Sequence, residues 1–218
     1  MNGSDENLSS EPAFNSTAPA FSTRPVMTAR FRLSKLLHAT VIFGCLLLSL
    51  AMGAWGDQRD QRLIPAFAQL AKASSPQTAS VLESRIWKIW LEHPKPRVNE
   101  MMRWGVKAMN TQDYPTALKL FDAMVEAAPE FSEGWNKRAT VRFLVGDYEG
   151  SIKDIGKTLA LEPRHFGALS GLGMIHTNQE RWFAAMAAFE QALRIHPHLV
   201  GVRHAIIKLQ QQLRKEST

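Results

Sequence analysis

One cysteine, Cys45, occurs among the 218 residues. No intramolecular disulfide can form, and no thiol pair is available for a structural metal or a redox couple. His-Glu-x-x-His, a glycine-rich phosphate loop and a Gly-x-Ser-x-Gly elbow are also missing, which removes the motifs of zinc proteases, P-loop nucleotidases and serine hydrolases. Gly171-Leu-Gly173 imitates part of a dinucleotide loop, but it lies inside a helical pattern and follows no strand. His196-Pro-His198 offers two metal-ligand side chains with no third nearby in sequence, and a turn between helices accounts for it equally well. The expectation is therefore a protein that is not an enzyme and uses no cofactor and no metal. The chain also lacks a one-sided basic surface despite a net charge of +6. Lys137, Arg138, Lys153 and Lys157 alternate with Glu133, Asp147, Glu149 and Asp154, the pattern of a solvated helical surface rather than of a nucleic-acid binder.

Long apolar runs are likewise scarce; there is one. Residues 1–26 are rich in Ser, Asn, Pro and Thr without periodicity and read as disordered. Met27 is a second candidate start, and Arg30, Arg32 and Lys35 follow it. From Leu36 to Gly56 there is no charge, and the run ends in small residues. This layout fits a cleaved export signal and a retained membrane anchor equally, because the run is long enough to span a bilayer. In either case the positive flank stays in the cytoplasm and everything after Asp57 is exported. Cys45 sits inside this run. Phe43 stands where a lipoprotein signal needs a small residue, so an inert membrane cysteine is the expectation.

What the chain does have is a period. Pro129, Pro163 and Pro197 stand 34 residues apart. Tyr114, Tyr148 and Trp182 precede them by fifteen residues, and Phe121, Ile155 and Phe189 by eight. Small residues recur at Gly105, Ala139 and Gly173 and again at Ala117, Ser151 and Ala185. Apolar spacing of three and four makes each block two amphipathic helices. Asp113 and Asp147 are candidate N-caps with Pro115 in a first turn, Asn178-Gln179-Glu180 marks the third turn more weakly, and the closing prolines stop the second helices. The small residues let paired backbones approach while Phe121, Ile155 and Phe189 fill the space between. This pattern resembles the tetratricopeptide repeat. The resemblance implies an all-α solenoid of antiparallel helix pairs whose first helices line a concave face.

The resulting division is a polar, then basic region at 1–35, a signal or anchor at 36–56, a divergent helical cap at 57–97, and three repeats at 98–131, 132–165 and 166–199. A C-terminal capping helix at 200–218 completes it, with Val202, Ile206, Leu209 and Leu213 on one face. In the cap, Ser75-Pro76 opens a helix whose Leu82, Ile86, Ile89, Trp90 and His93 share a face. Trp87 and Trp90 are expected to pack at the exposed end of the stack.

If the family register holds, the first helices present Asn99, Met102, Arg103, Val106 and Met109, then Glu133, Asn136, Lys137, Thr140 and Phe143, then Ser170, Met174 and Thr177. The candidate partner groove is Met102, Asn136, Lys137, Thr140, Phe143, Ser170 and Met174. Some members of the family clamp a terminal carboxylate with Lys, Asn and Arg; the matching positions here hold Met102, Val106, Lys137, Gly167 and Gly171, so that clamp is incomplete. Arg138 and Arg142 replace the usual Leu and Tyr. They are a candidate anchor for a partner's acidic group, or else partners for Asp122, Glu126 or Asp154. The resemblance implies a non-catalytic adaptor binding a protein or peptide on the exported, periplasmic side of a bacterial membrane, tethered there if residues 36–56 are uncleaved. An assembly factor acting through its anchor, and an accessory subunit of an enzyme, are the alternatives.

Overall fold

The computed structural model describes residues 57–216, and the signal or anchor run with Cys45 lies outside them. Every regular element among the described residues is an α-helix, and none is long and apolar enough to cross a membrane. A hairpin of α1 (Leu63–Leu70) and α2 (Pro76–Trp90) comes first. Three helix pairs follow: α3 (Pro96–Asn110) with α4 (Tyr114–Ala127), α5 (Ser132–Leu144) with α6 (Tyr148–Leu161), and α7 (Phe166–Asn178) with α8 (Trp182–Ile195). The last helix is α9 (Val200–Glu216).

The helix starts follow the expected chemistry. Asp113 accepts the amide of Thr116 at 3.2 Å and Asp147 that of Gly150 at 2.9 Å, while Ser75 accepts that of Thr78 at 3.2 Å ahead of Pro76. The turns inside the pairs carry one left-handed residue each, at the same place in every repeat: Gln112, Gly146 and Glu180. Only Gly146 holds that conformation without a β-carbon penalty, and Glu180 in its place is part of why the third turn reads more weakly. Each is closed by an amide reaching back to the first helix, Asp113 to Ala108 O, Asp147 to Arg142 O and Arg181 to His176 O, at 2.8 to 2.9 Å.

Close backbone approach defines each pair. A β-carbon on Gly105 would lie 2.6 Å from Cε1 of Phe121, and one on Gly173 would meet the ring of Phe189 in the same way. In the middle pair Ala139 is accommodated because its partner is Ile155, and Ser151 donates to the Ala139 carbonyl at 2.8 Å. Buried Phe121, Met124 and Phe131 fill the first repeat, Ile155 and Ile175 the junction of the next two. Val202 and Leu209 of α9 cover Ala185 and Phe189 with half-buried Ile206, as expected of a capping helix.

The segment expected as an end cap is a helical hairpin, but it lies along the side of the stack formed by the inter-repeat turns. Its core of Leu63, Phe67, Leu70, Leu82, Ile86, Ile89 and Trp90 includes Phe166, the first residue of α7, with Ile195 and Leu199 against it. Polar ties reach the first and the last of the three junctions, and ring contacts the second. Gln58 donates to Glu130 O at 2.6 Å and accepts from Ser132 N and Oγ, His196 Nε2 pairs with Glu83 at 3.1 Å, and His198 Nε2 donates to Ala73 O at 2.8 Å. The link into α3 is pinned by Asn99, whose amide accepts from His93 N at 2.9 Å and donates to His93 O at 2.6 Å. The two tryptophans therefore pack against the second junction rather than at an exposed end.

Gly173→Leu should force Phe189 aside and destabilise the fold by about 1–3 kcal/mol or more. Gly156→Leu, at a glycine with no atom near its missing β-carbon, should leave the melting temperature unchanged or slightly raised. Thermal denaturation of the two variants separates them. Equal losses would mean that the close approach at Gly173 does not limit packing.

Candidate functional site

A neutral cleft lies between α5 and α7. Asn136, Thr140, Phe143 and Leu144 form one wall, Gly167, Ser170, Gly171 and Met174 the other, and Ser151, Ile155 and Ile175 lie beneath them. Its volume is about 290 Å³, and none of its lining residues is ionisable. Leu144 and Met174 stand 45% and 48% exposed at its mouth, while Phe143 leans on Tyr148 with ring centroids 5.8 Å apart. Thr140 and Ser170 return their hydroxyls to carbonyls one turn back, Asn136 O and Phe166 O. Their polar edges are thereby partly used, and the cleft presents mainly methyl, thioether and ring surface.

Five of the seven groove residues expected from the sequence thus meet in one place: Asn136, Thr140, Phe143, Ser170 and Met174. Two do not. Met102 is buried in the first-repeat core, because the neighbouring helices close over α3 at that point. Lys137 is occupied, its ammonium lying 2.9 Å from Glu133 and 5.3 Å above the ring of Trp87. Asn99 is taken up by His93, as described above. Leu144, Gly167 and Gly171 line the cleft without having been selected. Leu144 directly follows Phe143 in the helix, and the two glycines are gaps that only side chains of neighbouring elements define.

Arg138 and Arg142 are filled from within. Arg138 binds Asp154 through two nitrogens at 2.7 and 2.8 Å and Asp122 at 2.8 Å, and Arg142 reaches Asp154 at 3.0 Å. Asp154 is buried, and its hydrogen bond holds the Arg138 guanidinium above its ordinary value. The acidic group that this pair was a candidate to anchor is supplied by α6.

At the inner end of the cleft lies a charged centre with no contact to water. Glu133 and His165 are both fully buried, with His165 Nε2 2.8 Å from Glu133 Oε2, and Asn136 donates to the same oxygen at 3.1 Å. His165 Nδ1 accepts the amide of Ala168 at 3.0 Å and caps α7. The ring is therefore protonated at Nε2, which donates to the carboxylate. Trp90 stacks on its face at 4.2 Å and 6°. Burial pushes the Glu133 carboxyl up, but the Lys137 charge and the His165 hydrogen bond outweigh it, and the group sits below its ordinary value. Such a carboxylate contributes stability that is complete above its unfolded value near 4.5 and is lost as the pH falls through the lower folded value.

Glu133→Gln should accordingly cost about 1–3 kcal/mol at neutral pH, and the gap to the parent should close below pH 4.5. Urea unfolding across that range measures it. A gap that widened in acid would contradict the sign.

No family model matches the chain. A tetratricopeptide repeat-containing protein of Rhizobium etli is 37% identical over 137 residues, 63% of this chain and 67% of that protein. The small glutamine-rich tetratricopeptide repeat-containing protein 2 of Mycosarcoma maydis is 21% identical over 122 residues, 56% of this chain and 35% of that protein. The chain thus spans two thirds of the first relative and about a third of the second. Among solved structures, the first tetratricopeptide domain of Spaghetti bound to the HSP90 peptide SRMEEVD superposes with a TM-score of 0.53 at 18% identity, covering 55% of this chain and 94% of that one. The period, the helix pairs closed by Phe121, Ile155 and Phe189, and the Rhizobium relative agree, and the chain belongs to the tetratricopeptide repeat family.

Proposed function

We propose that this chain is a protein-interaction module that takes an apolar segment of a partner protein or peptide into the cleft between α5 and α7. The observation that carries the reading is the absence of any ionisable side chain from the cleft lining, with Phe143, Leu144 and Met174 at its mouth. A lining of this kind rewards burial of apolar surface and penalises an unpaired charge, and methionine adapts to differently shaped side chains. The Spaghetti domain holds a peptide ending in acidic residues. Here the one lysine in the matching positions, Lys137, already serves Glu133, which favours an apolar over an acidic anchor. The volume suits a few bulky side chains rather than a folded domain.

A random peptide library selected on the full chain tests this. The expected peptides are rich in apolar residues, carry no shared terminal acid, and shift the amide resonances of Thr140, Ser170 and Met174. Met174→Glu and Phe143→Ala should each weaken them about tenfold or more with the melting temperature nearly unchanged, whereas Lys157→Glu on the exposed side of α6 should not. Acid-terminated peptides that bind elsewhere, indifferent to Met174, would defeat the reading.

The same proposal places the repeats on the exported side of a bacterial membrane, held there if residues 36–56 are retained. Its support is the order of charges: Arg30, Arg32 and Lys35 ahead of an uncharged run, and Asp57 after it. A reporter active only outside the cytoplasm, fused after Thr218, should be active and should lose activity when residues 36–53 are deleted. An inactive parent fusion would place the repeats inside the cytoplasm, and activity that survives the deletion would show that residues 36–53 are not what exports them.

A further inference from the structure

The sideways position of the α1–α2 hairpin leaves one face of the stack without the cover its counterparts have. In the second and third repeats the first helix is covered by the second helix of the preceding repeat, α4 over α5 and α6 over α7. The positions one and two periods after Trp104 are Arg138 and Leu172, and both are half-buried. In the first repeat no helix of the described residues packs there in the same way. Trp104 is 50% exposed, and together with Ala108, Thr111, Thr116 and Leu120 it borders a concavity of about 420 Å³.

Charge says what would cover it. Arg103 and Lys107 stand 5.7 and 5.0 Å from the Trp104 ring centroid, and neither makes an ion pair among the described residues. Asp113, also at the rim, is committed to capping α4. The next repeat shows how such a face is closed: α4 lies on α5 and presents Asp122 to the cation Arg138 at 2.8 Å. We propose that the open end of the first repeat, Trp104 and Leu120 beside Arg103 and Lys107, docks an amphipathic helix of a partner protein that carries a carboxylate next to its apolar stripe. Electrostatic complementarity of this kind sets the choice of partner more than the raw affinity.

A second copy stacked head to tail fits poorly, because α9 would present Val200 and Ile207 among Arg203, Lys208 and Arg214, cations against cations. The chain's own first 56 residues fit poorly as well. Their acids are Asp5, Glu6 and Glu11, far in sequence from the uncharged apolar run at 36–56. The surface lies on a different repeat from the α5–α7 cleft, and the inference does not depend on that cleft's function.

The test uses the full chain and a short stapled helix with leucines along one stripe and glutamates beside it, compared with the same helix bearing lysines instead. The glutamate helix is expected to shift the Trp104 indole N–H and the amides of Thr111 and Thr116, and to bind about tenfold or more tightly than the lysine helix. Lys107→Glu should reverse that preference, and Trp104→Ser should abolish binding without changing the melting temperature. The proposal is overturned by failure of the glutamate helix to bind, by equal affinities, by shifts confined to Thr140 and Ser170, or by a dimer in light scattering that Trp104→Ser dissolves.

Discussion

The ring of His165 carries three demands at once, and most of the structure is arranged so that they are met together. Its Nδ1 must be bare to accept the Ala168 amide and start α7, and its Nε2 must carry the proton offered to Glu133. Its face must be free for Trp90 to lie on. Between them these contacts fix the tautomer, the rotation and the depth of the ring. They tie together α5, α7 and the hairpin, which are far apart in sequence. The arrangement is also hard to leave. A buried carboxylate without its partners costs several kcal/mol, so Glu133 requires Lys137 and His165 in place, and Lys137 in turn lies under Trp87.

A comparison of magnitudes explains why the neighbouring cleft is neutral although Arg138, Arg142 and Lys137 are close by. If Arg138 turned outward to meet a partner's acid, an exposed ion pair would return roughly 0.2–1 kcal/mol. Asp154 would meanwhile lose its principal partner inside the fold, and breaking a buried pair costs about 3–5 kcal/mol. The internal pairing wins by several-fold. The same reasoning holds Lys137 on Glu133. The charges of the second repeat thus act within the stack, and Phe143, Leu144 and Met174 are left to define the mouth of the cleft.

Much of this was legible in the sequence because it is local or periodic. The prolines, the aspartate caps and the alternation of Gly105, Ala139 and Gly173 with Phe121, Ile155 and Phe189 each follow from a rule that operates within one helix pair. Five groove residues followed from the same register. The hairpin's placement did not, since the apolar stripe of Leu82, Ile86, Ile89 and Trp90 has the same form whether it covers the end of a stack or its side. The signal that could have shown it is the departure at the junctions: His165 stands where the first repeat has Phe131, and His196 where it has Ala128. Polar rings at buried turns imply partners from outside the repeats. Met102 and Asn99 were misplaced for the same reason, because their surroundings depend on how the chain enters α3. Glu180 weakens the signal of its turn by adopting a left-handed conformation without glycine.

The hairpin also sets where the repeats remain open. Gly167 can face the edge of Trp87 only because it lacks a β-carbon, which would come within 2.7 Å of the indole, so a ring from outside the repeats rests against a residue that lines the cleft. By taking the side of the stack, the hairpin leaves the face at Trp104 without a covering helix. The polar link between these two surfaces runs from Asp122 on α4 to Arg138 on α5. Asp122 is half exposed, and a pair of that kind contributes about 1 kcal/mol at most. That bounds the coupling it can transmit to roughly a fivefold change in affinity. α4 and α5 also meet through apolar packing, with Met124 lying against Gly134, and such packing is not directional. If both proposals hold, two surfaces so weakly joined would bind as separate sites, one chosen by apolar fit and the other by charge.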